Sequence, residues 1–546
     1  MAAVTKTNST HAPSFKRLLL TLLLLLLLVV LIGSVLMISN PTTLRAAIGS
    51  LSAAFNGGQL PAFALNSQLN ASDRLLVWTG NGASPDKVPA SDGGQLVLMD
   101  STGAVEPLIA VPAGSNRVVA CGDSATSPDK KQFAFFVGTE TGTLYLLTGT
   151  RTLASVKDNF QALGCLPGVR FSPDSTRFAY IAYPQDASSS EYASGILHVA
   201  SVSPVADLVT YEKAVAFDIH NDVVAYVQFF TNDKNEADEA AVSLWDGKNE
   251  LEVTSLYPDE NCRFTSAQIA ISPDNKLLVN VGHRCKKGDT RTSARLYVVD
   301  PSNGSANQAM SNFQAGAFFP YANSNTLIFS PDGKTVYSTM PDGVSANSTS
   351  LIAVDLANAN PNNVLLPKYT VVEHYTKPYV WSDDSAPVLS GDGRWLSVVT
   401  NTPNNEAKLN VFDLNDVKTP PIVFSAGRRG DSINDVQFAP DNSRLFYVSG
   451  GTGSDDNSLF GMELSSGSDF RIKRGNYGHA VLSLDGGTVA AMEWKTVEDP
   501  KQPPYLNLAL VDVNNKQENL IFTGAKIVDG KVTEQHFIYP LAWRRD

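Results

Sequence analysis

From about Asn66 to the end, short apolar runs alternate with polar turns, and no run stretches into a helical stripe. Thr326–Met340, TLIFSPDGKTVYSTM, is the clearest instance. Its two flanking runs are rich in β-branched and aromatic residues, which predicts strands buried on both faces. Between them Pro331 presets φ, Asp332 closes the turn through its side chain, and Gly333 tolerates the φ > 0 exit. Similar hairpins span Phe171–Ala182, Ile271–Gly282, Leu389–Val399, Phe438–Ser449 and Leu482–Met492.

Two landmarks make the repeat countable. One is the turn aspartate or its degenerate equivalent, at Asp73, Asp129, Asp174, Asp222, Asp274, Asp332, Asp392, Asp441 and Asp485. The other closes a later strand, at Asp100, Thr148, Ser201, Asp246, Asp300, Asp355, Asp413, Glu463 and Asp512. A weaker strand such as NNVLLP or ENLIFT follows most of these. Each unit is therefore expected to hold four short antiparallel strands, repeating every ~50 residues as in a β-propeller blade. The expected fold is all-β, a single propeller of nine blades, or eight if one degenerate unit fails to form. His536–Asp546 reads as one more first strand with nothing after it, suited to completing the first blade, whose own candidate, ALNSQLN, is polar.

The quoted hairpins resemble the WD40-like, TolB-type (PD40) repeat, Pro-x-Trp/Phe-Ser-Pro-Asp-Gly followed by an apolar strand. Phe171–Asp174 and Phe329–Gly333 match it well, Phe438–Asp441 and Pro540–Trp543 in part, and Phe217–Asp222 departs from it. The resemblance implies fold, not function, since such repeats serve peptidase-associated domains, sugar-active enzymes and interaction modules.

The N-terminus is of another kind. Residues 1–17 form a short tail with Lys6, Lys16 and Arg17, and Leu18–Ser39 carries no charge. At helical rise the latter reaches about 33 Å, enough to cross a hydrocarbon core of about 30 Å. The flanking charges orient it as a signal anchor with the tail cytoplasmic and the rest extracytoplasmic, in the periplasm or at the cell surface. A cleaved signal peptide is the rival reading, though the apolar run is long and no small-x-small site follows it. Residues 40–65 read as a spacer, and 66–546 as the propeller.

Charge and cysteines narrow the picture further. A net charge of -12 with no long basic run argues against nucleic acid as partner. Cys262 precedes the first strand of its unit and Cys285 follows the second, so antiparallel pairing brings them together for a disulfide. Cys121 and Cys165 precede first strands of neighbouring units and are a second candidate bridge, provided their Cα atoms lie within about 7 Å. Four buried thiols are the alternative. No spacing suggests zinc or another metal, and no cofactor is expected.

First-to-second and most third-to-fourth connections are tight, while the second-to-third ones are long and irregular. With the blade-to-blade connections, the long ones emerge on one face, the expected binding face. There His479 enters an innermost strand, and Tyr477, Arg428, Arg429, Arg474, Trp381, Asp383 and Asp384 sit in equivalent connections. Together they suit an anionic or sugar-like ligand; the plain alternative is a solvated rim. The turn aspartates are expected to be structural, His220 and His374 to be packing residues, and Asn232–Glu239 to be a hydrated loop lacking calcium-loop spacing.

No GxSxG elbow, GxGxxG or GxxxxGK[ST] is present, which excludes a self-sufficient peptidase of the propeller–hydrolase type and nucleotide chemistry. The leading expectation is a membrane-anchored scaffold without catalytic machinery, binding a protein or cell-envelope component. The alternative is a sugar- or anion-binding receptor or enzyme working at the mouth of the propeller channel.

Overall fold

The computed structural model describes residues 73–545 apart from 83–93, 112–116, 120–125, 139–140, 150–151, 162–167, 184–193, 221, 286–292, 311–326, 331, 342–347, 357–359, 372–387, 402–405, 417, 427–430, 452–456 and 498–500. These residues belong to one unit, Ser67–Asp546. The tail, the apolar span 18–39, the spacer and ALNSQLN lie outside the described residues. Among the described residues every element is a strand, and no helix is long and apolar enough to cross a membrane.

Strand order follows chain order, as a repeat of local hairpins requires. Four sheets hold four consecutive strands each, running from Arg117–Val119 to Leu153–Gln161, Cys262–Ile271 to Ser305–Met310, Asp431–Phe438 to Ser468–Lys473, and Tyr477–Leu482 to Glu518–Thr523. A seven-stranded sheet from Arg170–Phe171 to Glu250–Leu256 holds two units that share one strand, Val205–His220. An eight-stranded sheet joins two further units through Thr370↔Asn401 and Val371↔Thr400. In the remaining sheet Lys531–Arg545 pairs antiparallel with Asp73–Asn81, from His536↔Asn81 to Arg545↔Asp73. Counted along the chain, the described strands fall into nine groups of four, in the first of which Lys531–Arg545 lies beside Asp73–Asn81 and carries Ala525–Val528 as a fifth strand at its far edge.

The buried faces explain the apolar runs. In Val223–Thr231 of the fourth unit, Ala225, Val227 and Phe229 pack with Ile269 and Val279 of the fifth. The alternate residues Val224 and Tyr226 pack with Leu197 and Val199 of the third. Period-two alternation therefore sends successive side chains to opposite neighbours, and both faces are core. Comparable clusters join the second to the third unit and each consecutive pair from the fifth to the ninth. Each fully buried large aliphatic side chain contributes about 1.5–3 kcal/mol.

The turns have the expected chemistry and a further layer. Ser172 Oγ donates to Asp174 Oδ1 (2.5 Å) and accepts from Arg177 N (3.0 Å), while Asp174 Oδ1 accepts from Thr176 N (3.1 Å). The same Ser-x-Asp bond recurs at Ser127–Asp129, Ser272–Asp274, Ser330–Asp332, Ser390–Asp392 and Ser483–Asp485. The residue after the aspartate is left-handed, at φ 60° in Ser175, 63° in Asn275 and 69° in Gly333. It also touches the preceding unit. Asp129 N donates to Ser175 Oγ and Gly391 N to Asn442 Oδ1, so consecutive turns interlock.

Two local expectations are corrected. Phe217–Asp222 does not begin a separate strand: with no glycine or proline to break it, Val205–His220 runs continuously, its register shifting near Ala214 where Lys213 adopts φ 59°. Asn232–Glu239 is not a long loop. Asn232 Oδ1 accepts from Lys234 N and Glu236 N, and Asn235 at φ 59° closes a tight hairpin between Val223–Thr231 and Ala237–Trp245.

Candidate functional site

His479 lies in the first strand of the ninth unit, Tyr477–Leu482, near the end fed by the unit-to-unit connection. Its Nδ1 donates to Asp435 Oδ1 of the eighth unit at 2.8 Å, and Ala480 N donates to Asp435 Oδ2 at 3.0 Å. A shift in register between Asn434 and Gln437, with Asp435 at φ 53°, turns this carboxylate toward the next unit. Two residues on, Gln437 Nε2 donates to Ala480 O and its Oε1 accepts from Leu482 N, both at 2.9 Å. Asp435 and Gln437 thereby do for the two inner strands what a backbone ladder would do. The Asp435 side chain is 3% exposed and the imidazole 14%, so the carboxylate is shielded and the ring reaches solvent at its edge. An imidazole whose Nδ1 faces a carboxylate carries its proton on that nitrogen, so the pair fixes the ring's tautomer and orientation.

The other expected site residues divide. Tyr477 does not open to a mouth: it is 1% exposed and packs with Val448 and Leu459 of the eighth unit, because its strand register sends it into the interface. Its hydroxyl meets Glu518 Oε1 at 3.4 Å, and burial first, then the Glu518 and Glu493 carboxylates, push its pKa far up. Arg474 is exposed in the connection before Tyr477. Arg428, Arg429, Trp381, Asp383 and Asp384, with His374, Cys121 and Cys165, lie outside the described residues. His220 is half-buried at the end of its strand.

Asp435 and Gln437 were absent from the sequence reading. Their signal was two polar residues, two apart, in the run DSINDVQF that begins a unit. Asp218 is a parallel case, accepting from Ile271 N of the next unit (2.8 Å) and Arg170 Nη1 (2.6 Å).

The landmark acids are structural. The Ser172, Ser272, Ser330 and Ser390 hydroxyls hold the carboxyls of Asp174, Asp274, Asp332 and Asp392 below the usual carboxylate range. Asp100, Asp246, Asp300, Asp413 and Asp512 each accept a backbone N–H two residues on, closing the third-to-fourth turn. Cys262 and Cys285 form the expected disulfide across directly paired strand ends. Among the described residues no group of three acid, histidine or cysteine side chains is arranged to hold a metal.

No family model matches the chain, and no curated protein does. Solved structures do. Dipeptidyl peptidase 4 of Porphyromonas gingivalis aligns at 11% identity and TM-score 0.45, over 74% of this chain and 59% of its own. Prolyl oligopeptidase B of Galerina marginata aligns at 12% and 0.38, over 71% and 55%. The Dos1 propeller aligns at 12% and 0.40, over 68% and 88%. The chain thus spans less than two thirds of the length of either peptidase. Likenesses this distant carry no argument about a reaction, and the all-β architecture rests on the strand order itself. The expectation of a scaffold without catalytic machinery is not carried further, since the matched structures named here are mostly peptidases, but such likenesses assign no activity to this chain.

Proposed function

We propose that this chain binds an anionic or sugar-like ligand at the loop-bearing mouth of a single closed nine-bladed propeller, with His479 as the acid–base group of the site. The observation that carries the proposal is the His479–Asp435 pair, which fixes an imidazole at the start of an inner strand. Closure is supported by the pairing of Lys531–Arg545 with Asp73–Asn81, and by the bond from Trp543 Nε1 to Val481 O between the first and ninth units. Arg428 and Arg429 immediately precede the inner strand of the eighth unit, and Arg474 precedes that of the ninth. In sequence these cations stand in the connections that lead into the two inner strands, in a chain whose net charge is -12. The segment 18–39 would tether the propeller outside the cytoplasm.

The test is calorimetric titration with inorganic phosphate, an oligosaccharide of uronic acids and its neutral counterpart. Binding of one anionic probe, weakened about tenfold or more by His479→Ala and by Arg428→Ala, is expected. Equal affinity in both variants, or no binding of any probe, overturns the proposal.

A further inference from the structure

The fourth unit ends on an open sheet edge. Glu250–Leu256 is the last strand of the seven-stranded sheet, and among the described strands it pairs only with Ala237–Trp245. This strand and the turn after it carry the two most exposed large apolar side chains of the described residues, Leu251 at 54% and Tyr257 at 63%. An edge with apolar side chains in water is a template for a further strand.

Charge decides which strand fits. Between Asn232 and Glu260 stand nine acidic residues and two lysines, so this stretch holds more than half of the net charge of -12. Three of the acids share one face of the edge. Glu250 and Glu252 lie opposite Trp245 and Ser243 across the ladder, and Glu239 falls on the face of Ser243 by alternation. Their partners are hydroxyls. The Ser255 hydroxyl lies 2.7 Å from Glu239 Oε1 and 3.1 Å from Glu252 Oε1. Tyr257 donates to Glu239 at 3.2 Å, and Tyr226 donates to Glu250. Elsewhere strand-end acids meet guanidiniums, as Asp413 meets Arg394 and Glu463 meets Arg444. Leu251 lies opposite Leu244, on the other face.

We infer that this edge is a docking site for an extended basic segment of another protein, which adds to the sheet as a further strand. Main-chain bonds to the free side of Glu250–Leu256 hold it. Alternate residues of an added strand fall on opposite faces. Lysine or arginine at every second position therefore meets Glu250 and Glu252, while the apolar residues between cover Leu251. A second copy of this chain is the wrong occupant. Edge to edge it sets carboxylates against carboxylates, and like charges directly opposite destabilise a ladder. The same acids thus keep the open edge from pairing with itself.

The test is titration of the full chain with a labelled octapeptide of alternating lysine and valine. Binding is read by fluorescence anisotropy, and the edge by hydrogen exchange over Glu250–Leu256. Binding with slowed exchange of that strand is expected. Glu252→Lys should weaken it about tenfold or more, and Leu251→Ser about threefold or more. Glu463→Gln, on the eighth unit, should bind as wild type does. The same peptide with glutamate for lysine should not bind. Nor should the lysine peptide with its backbone amides N-methylated, which keeps the charge but cannot extend a ladder. Absence of binding, undiminished binding in Glu252→Lys, or equal binding of either control peptide overturns the proposal. So does protection of Glu250–Leu256 that rises with protein concentration in place of peptide, which would make a second copy the occupant.

Discussion

Arg545 Nε stands 3.0 Å from Asp73 Oδ1, joining residues 472 positions apart in the chain. The two are directly paired at the end of the ladder between the first and last described strands. Asp73 occupies the position that in other units is the turn aspartate, so here the turn is replaced by a junction between segments far apart in the chain. Its carboxylate is fully buried while the guanidinium remains 42% exposed. Arg545→Ala leaves the carboxylate without this partner, and the solvent around the guanidinium limits the expected cost to about 1 kcal/mol in urea unfolding. Deleting Lys531–Arg545 exposes the edge of Asp73–Asn81 and should abolish the cooperative transition.

The Ser-x-Asp turn makes a prediction with a sign. Ser172 is fully buried and both donates to Asp174 and accepts from Arg177 N. Ser172→Ala should cost about 1–2 kcal/mol at neutral pH. Because the carboxyl of Asp174 is held low, chiefly by the Ser172 hydroxyl, its stabilisation is present above the unfolded aspartate value and lost as pH falls through the folded one. Asp174→Asn should therefore lower stability at pH 7 and flatten its decline below about pH 4, as read by thermal unfolding across pH.

Cys262 and Cys285 close a loop of 23 residues by sequence separation. Replacing both with serine should cost about 3 kcal/mol, most of it through the freed unfolded chain. The strands should stay paired, because Arg263 to Ile271 retain their partners from Arg284 to Leu277. Equal denaturation midpoints with and without reductant would show that the bridge adds nothing.

What the sequence disclosed followed from how local the chemistry is. Ser330, Asp332 and Gly333 complete a turn among themselves, and Cys262 and Cys285 sit at the two ends of one hairpin, so both were readable from a short window. The continuous strand Val205–His220 was not, because nothing in YEKAVAFDIH marks where one unit hands over to the next. His479 was legible by position alone. Its partner Asp435 is 44 residues away on a neighbouring unit, and no local pattern names that distance. Tyr477 misled for a related reason: an aromatic near a channel mouth and one pinned between sheets look alike until register sets its face.

Gln437 gives the sharpest test of how adjoining inner strands are held. Its amide donates to Ala480 O and accepts from Leu482 N, meeting one backbone acceptor and one backbone donor with a single side chain. At neutral pH a carboxamide of this length offers both on one planar group, which a carboxylate does not. Gln437→Ala orphans both backbone groups and should cost about 2–3 kcal/mol. Gln437→Glu keeps the shape and the acceptor but sets a carboxylate oxygen against the Ala480 carbonyl, so it should be nearly as damaging at pH 7. Protonation returns a donor, so that variant should recover stability in acid while the alanine variant does not. Denaturant unfolding at pH 7 and pH 4, with exchange of the Leu482 amide followed in parallel, distinguishes this bridge from simple packing, for which alanine alone would be costly.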